Sequence, residues 1–198
     1  MARQSTLIRQ HQIIEAVRSL ITTRGMESVT IDAIADEVGL TEGAIYRHFA
    51  SKYQILSFLI DDIEENLLST IHSAIVEGAS ALKNLEHILE AHLSDVEGRR
   101  ATSFIVITEA MGFDGIGLSP RVSLMLTHYL EFVRGVLENG IQEGSIRSDV
   151  GVDAAATAFL GLIQSTATLW ALNDYSPPLA ERRAQMWDIY KKGVASTV

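Results

Sequence analysis

Residues 30–52, TIDAIADEVGLTEGAIYRHFASK, constrain this chain more than any other stretch. Ile31, Ile34, Ala35 and Val38 recur at i, i+3, i+4 and i+7, so they line one face of a short helix. Gly39-Leu40 interrupts the period, and Thr41 offers a side-chain oxygen to the unpaired N–H groups of a second helix. That helix is expected over 42–49, with Ile45 and Phe49 inward and Thr41, Glu42, Gly43, Tyr46 and Arg47 outward. Two helices joined by a short Gly-containing turn form a helix-turn-helix, whose second helix fits the major groove of DNA.

These residues also resemble the signature of the tetracycline-repressor-like (TetR) transcriptional regulators. The matching features are Thr30 opening the first helix, Ala35 within it, Gly39 at the turn and Thr41 opening the second helix, followed by Tyr46, His48-Phe49 and Ser51-Lys52. The resemblance implies an all-α, nine-helix, two-domain architecture. A helix-turn-helix head over 1–54 would bind DNA, and a helical body over 55–198 would bind an effector and dimerise.

The rest of the chain agrees with an all-α reading. A stripe of Ile13, Ile14, Val17, Leu20 and Ile21 predicts a first helix ending at Gly25 in a left-handed cap. Ser51-x-x-Gln54 forms a capping box for a helix whose stripe of Ile55, Leu59, Ile63, Leu67, Ile71 and Ile75 runs to about Gly78. Some 26 residues at ~1.5 Å each make a rod of roughly 39 Å. Further helices are expected over 80–95, 97–111, 120–139, 152–172 and 179–193. The three prolines, Pro120, Pro177 and Pro178, fall at element boundaries.

The net charge of −9 at first argues against DNA, where basic side chains supply most non-specific affinity. Its distribution removes the objection. Residues 1–54 hold six Arg/Lys and six Asp/Glu, whereas the remainder holds ten against nineteen. The head is neutral, so affinity must come from local contacts and doubled sites. The chain has no cysteine, which excludes disulfides, thiolate metal sites and thiol nucleophiles and suits a reducing interior. No leader or membrane span is expected, so the location expected is the cytoplasm.

The candidate DNA-binding residues are Thr30, Thr41, Glu42, Gly43, Ala44, Tyr46, Arg47, His48 and Lys52. Thr30 and Thr41 can cap their helices while turning those N-termini toward phosphates. Arg47 can span guanine O6 and N7, or hold a phosphate; Glu42 can accept from cytosine N4, or complement the helix dipole. Gly43 allows close backbone approach, Ala44 can touch a thymine methyl, and Lys52 suits a phosphate. The resemblance assigns phosphate contacts to Tyr46 and His48.

The resemblance also places an effector pocket in the body, where His92, Thr108, Glu109, Tyr129, Gln164 and Trp170 are polar groups on apolar helical faces. A mostly apolar small molecule is the effector expected. The segment over 152–172 is apolar on every side, which predicts burial all round. One of its faces therefore needs a cover beyond the chain's own bundle. The resemblance supplies a homodimer, with Ala155, Ala158, Leu162, Arg183, Trp187 and Tyr190 as interface candidates. The resulting expectation is a dimeric repressor released from a palindromic operator by its effector.

Enzymatic readings are weaker. Asp61-Asp62 and Glu64-Glu65 are read as the wet face of a helix rather than a catalytic pair. The glycines of 112–117 lack the setting of a phosphate loop, and no nucleophile elbow is present. His72, His92 and His128 are too scattered for a metal site, and no cofactor is implied. The other class open to this sequence is a helical carrier or interaction protein without sequence-specific DNA binding.

Overall fold

The computed structural model describes residues 6–100 and 117–196. Among these residues there are eight α-helices: α1 Thr6–Arg24, α2 Ile31–Val38, α3 Glu42–Ile45, α4 Lys52–Ser73, α5 Ala81–Gly98, α6 Ser119–Glu143, α7 Val152–Leu172 and α8 Ala180–Val194. A 3-10 turn at Met26–Ser28 precedes α2, and a single antiparallel bridge, Ile146 with Ala195, takes the place of any strand there. The helix expected over 97–111 falls mostly outside the described residues, and its first two positions form the end of α5. The described residues divide into two compact units, 6–63 with 117–122 and 64–100 with 123–196.

In the first unit the expected stripe of α1 is buried throughout, with Val29, Ile34, Ala35, Ile45, Phe49, Ile55, Leu56 and Leu59. Phe49 meets Phe58 edge-on at 5.6 Å between centroids. Gly25 leaves α1 at the expected positive φ of 80, but its ψ of 168 extends the chain instead of completing a left-handed turn. The second helix of the turn motif is shorter than expected, ending at Ile45. His48 N–H and Phe49 N–H both donate to the Ile45 carbonyl, which winds 46–48 into tight turns before Ser51 opens α4.

The capping box at the start of α4 is present. Gln54 N–H donates to Ser51 Oγ at 3.2 Å, and Gln54 Oε1 accepts from Ala50 N–H at 2.6 Å. At 22 residues α4 is shorter than expected, a rod of ~33 Å. It stops at Ser73, and just beyond it Asn84 holds the chain: Asn84 Oδ1 accepts from Val76 N–H at 2.9 Å. Ile75, expected on the buried stripe, lies past the helix end and is exposed. The acidic run of α4 is likewise not simply its wet face. Asp62 pairs with Arg18 of α1, Asp61 pairs with Arg121, and Glu64 lies 2.5 Å from His128 Nδ1 of α6.

The second unit is built on Leu85, Ile88, Leu89, Leu93, Tyr129, Val133, Leu137, Phe159, Ile163 and Ala167. Gly140 lets α6 pass close to Ile146: a β-carbon there would stand 2.5 Å from Ile146 Cδ1, and that side chain would have to shift. Within one chain α7 is buried along one face, the one expected to meet the chain's own bundle, and its other apolar face stays open. Ala155, Ala156, Phe159, Leu160, Ile163 and Ala167 face the core, whereas Ala154, Ala158, Leu169 and Leu172 are exposed.

Candidate nucleic-acid interface and effector site

The turn motif presents the expected side chains in one short span. Thr30 caps α2 by accepting from Ala33 N–H at 3.1 Å, and Thr41 caps α3 by accepting from Ala44 N–H at 3.3 Å. Gly39 joins the helices at φ 70, a left-handed conformation that glycine adopts freely, and its N–H returns to the end of α2. Beyond this turn Thr41, Glu42, Gly43, Tyr46 and Arg47 are exposed, while Ile45 and Phe49 are buried beneath them. A β-carbon on Gly43 would meet nothing within 4 Å, so the surface there is open to another molecule.

Ala44, His48 and Lys52 are half-buried. His48 is anchored through its backbone, with its carbonyl accepting from Gln10 Nε2 at 3.2 Å. Gln10 was not legible beforehand, because this contact spans 38 positions. The carboxylate of Asp62 and the guanidinium of Arg18 were missed for the same reason.

In the body, the structure joins two of the expected effector residues. His92 Nδ1 and the Tyr129 hydroxyl are 3.0 Å apart in the core. Burial lowers the His92 pKa to about 4 and pushes the Tyr129 hydroxyl well above its ordinary value, so both are neutral at pH 7. Trp170 is buried against Tyr175, and Gln164 is half-buried on α7. Thr108 and Glu109 lie outside the described residues.

The six interface candidates separate into two groups. Ala158 is exposed and Leu162 half-buried; they line a shallow groove of ≈ 400 Å³ together with Ala154, Ile189 and Gly193. Arg183, also half-buried, pairs with Glu90. Ala155, Trp187 and Tyr190 belong to the protomer's own core, where the Tyr190 hydroxyl donates to the Ala155 carbonyl at 3.0 Å. Trp187 thus faces inward, Ala155 and Tyr190 also reach the floor of the groove, and Ile189, 67% exposed, is the large apolar residue that α8 leaves open.

Residues 13–57 match the family model of bacterial regulatory proteins of the tetR family, and residues 61–193 match that of the YsiA-like protein C-terminal region. The chain belongs to the TetR family. This TetR-family chain is 26% identical over 183 residues to the fatty acid metabolism regulator protein of Bacillus subtilis, covering 92% of this chain and 94% of that one. It is 27% identical over 190 residues to the nucleoid occlusion factor SlmA of Shewanella sediminis, covering 94% and 95%. The crystal structure of the transcriptional regulator FadR from Bacillus subtilis with stearoyl-CoA matches at a TM-score of 0.83 and 27% identity, over 92% of this chain and 98% of that one. The Bacillus subtilis relative and the FadR structure are both named as regulators. The TetR-family protein described here is a DNA-binding transcriptional regulator.

Proposed function

We propose that this regulator is a homodimeric repressor whose two α3 helices read the halves of a palindromic operator, and that a long-chain acyl thioester releases it. The observation that carries the reading is the α3 surface, where Thr41, Glu42, Gly43, Tyr46 and Arg47 are exposed over a rigid apolar base. We assign residues 1–54 to DNA and 55–198 to effector binding and dimerisation. Within this scheme Thr30, Tyr46, His48 and Lys52 hold phosphates, while Arg47, Glu42 and Ala44 face base edges.

A two-fold dimer matches a palindrome when its reading helices stand ~34–36 Å apart, one turn of DNA. The open apolar face of α7, continued by Ile189, supports pairing between copies, because an exposed patch of this kind is costly in a lone chain. The effector class is supported by the likeness to FadR, which is known with stearoyl-CoA. A neutral buried His92–Tyr129 pair in an apolar body suits a mostly apolar molecule. No cofactor or metal enters the scheme, and its setting is the bacterial cytoplasm.

The ligand acts by favouring a conformation with another helix separation. A coupling of 1–3 kcal/mol weakens DNA binding ~5–150-fold. Fluorescence anisotropy with palindromic duplexes from the promoter nearest its own gene tests this reading, with and without stearoyl-CoA. Equal binding to scrambled duplexes at low salt would overturn the operator reading, and an unchanged Kd with saturating stearoyl-CoA would overturn the effector.

A further inference from the structure

The ends of α5 and α7 meet in a corner whose polar groups are not accounted for by packing. Trp170 is 5% exposed, and its indole Nε1 is buried without an acceptor. Tyr175 packs across it, with ring centroids 5.0 Å apart and planes at 81°, and the Tyr175 N–H donates to the Trp170 carbonyl at 2.9 Å. The guanidinium carbon of Arg100 lies 4.4 Å from the Tyr175 ring centroid. Among the described residues no carboxylate pairs with Arg100, whereas neighbouring Arg99 is held by Asp95 at 2.7 Å.

The backbone at this corner is also unusual. Arg100, Asp174 and Tyr175 adopt φ of 49, 53 and 60, the left-handed region sparsely used by residues with large side chains. Such residues do end helices, but glycine or asparagine is the ordinary occupant. Here the strained positions bring a cation onto the Tyr175 ring, which itself packs on Trp170 with its unanswered donor, the kind of arrangement found at ligand clamps.

We propose that Arg100, Tyr175 and Trp170 form the polar anchor of the effector site. The Arg100 guanidinium receives the anionic group of a long-chain acyl effector, a carboxylate or a phosphate, and the Trp170 indole N–H donates to an oxygen of the same head. This rests on the acyl-effector reading and adds to it the place where the head is recognised. A guanidinium fork matches carboxylate and phosphate oxygens in pairs, and stacking on Tyr175 holds the fork in place before the ligand arrives. The body from residue 55 onward carries nineteen acidic and ten basic side chains, so an anion entering it needs a local cation. The acyl tail requires no such partner.

The full-length protein and its Arg100→Gln, Arg100→Lys and Trp170→Phe variants are titrated with stearoyl-CoA and with sodium stearate. Ligand binding is read by calorimetry, and release of an operator duplex by anisotropy. Arg100→Gln is expected to weaken stearoyl-CoA binding about tenfold, the loss of one charge-assisted contact, without changing DNA affinity in the absence of ligand. Arg100→Lys recovers part of the loss. Trp170→Phe weakens binding while circular dichroism shows the helical content retained; Arg100, being exposed, supplies the test independent of folding. A penalty on stearoyl-CoA alone identifies the bound group as phosphate, and a penalty on both probes shows that the fork takes the phosphate of one and the carboxylate of the other. Wild-type affinity for both probes in Arg100→Gln overturns the anchor while leaving the acyl effector standing. Failure of the wild-type protein to bind either probe overturns both.

Discussion

Arg18 in the head and His92 in the body are both polar side chains withdrawn from water, and their partners differ in kind. Arg18 is answered by a charge, Asp62 of α4, at a site whose carboxylate remains partly wet. His92 is answered by a neutral hydroxyl in an apolar core, and it is held neutral there by burial. A buried ion pair fixes the position of two elements while contributing little net stability. A neutral hydrogen bond costs less to desolvate and leaves the interior hospitable to an apolar guest. The head is thus built to hold a surface in register, and the body to keep charge out of its interior.

The largest effect that can break this contrast comes from Arg18→Ala, which removes the guanidinium from Asp62 and leaves His11, 3.7 Å away, as the nearest cationic side chain paired with it. It should lower stability by about 3–5 kcal/mol in urea denaturation. A loss below about 1 kcal/mol, the range of surface pairs, would mean the pair is an ordinary surface contact.

The body should respond to acid. Unfolded His92 takes up a proton near pH 6.5, whereas the folded residue does so only near 4. Over that interval the unfolded state binds the extra proton, so stability falls as pH drops through it. The total is about 3 kcal/mol, and stability is fully retained above 6.5. Urea midpoints between pH 4 and 7 should therefore have a flatter pH dependence in His92→Gln, and equal slopes in both proteins would remove His92 as the cause.

Function and stability should separate in the head. Arg47→Ala should cost about 1–3 kcal/mol of DNA binding, relaxing preference at one base position if the side chain reads a base. Its melting temperature should match that of the wild type, since Arg47 is exposed; an equal loss on every sequence would make it a phosphate clamp. The smallest expected effect is that of Thr41→Ala, about 1 kcal/mol of stability from the lost cap. Replacement by Ser should restore it, and an unchanged urea midpoint in Thr41→Ala would show the cap to be dispensable.

The head was nearly complete in its sequence because its determinants are local. Thr30 and Thr41 cap the helices they precede, Gly39 supplies the turn, and the Ser51/Gln54 box opens α4, each within a few positions. The limits of legibility appear wherever a partner is distant. Asp61, Asp62 and Glu64 read as a wet face because Arg121, Arg18 and His128 are 60, 44 and 64 positions away. Asn84, which holds Val76 just past the end of α4, acts from the following helix.

By itself, then, the sequence determined the helices, their caps and the outward residues of α3, since period and capping act over one or two turns. Tertiary structure alone decided which of two equally apolar faces of α7 is covered, and that Trp187 and Tyr190 belong to the core while Ile189 does not. It also decided that His92 would find Tyr129, and that Arg100 would come to rest on Tyr175. Hydrophobicity carries no direction around an all-apolar helix, and contacts across dozens of residues depend on how the helices pack rather than on the chain that joins them.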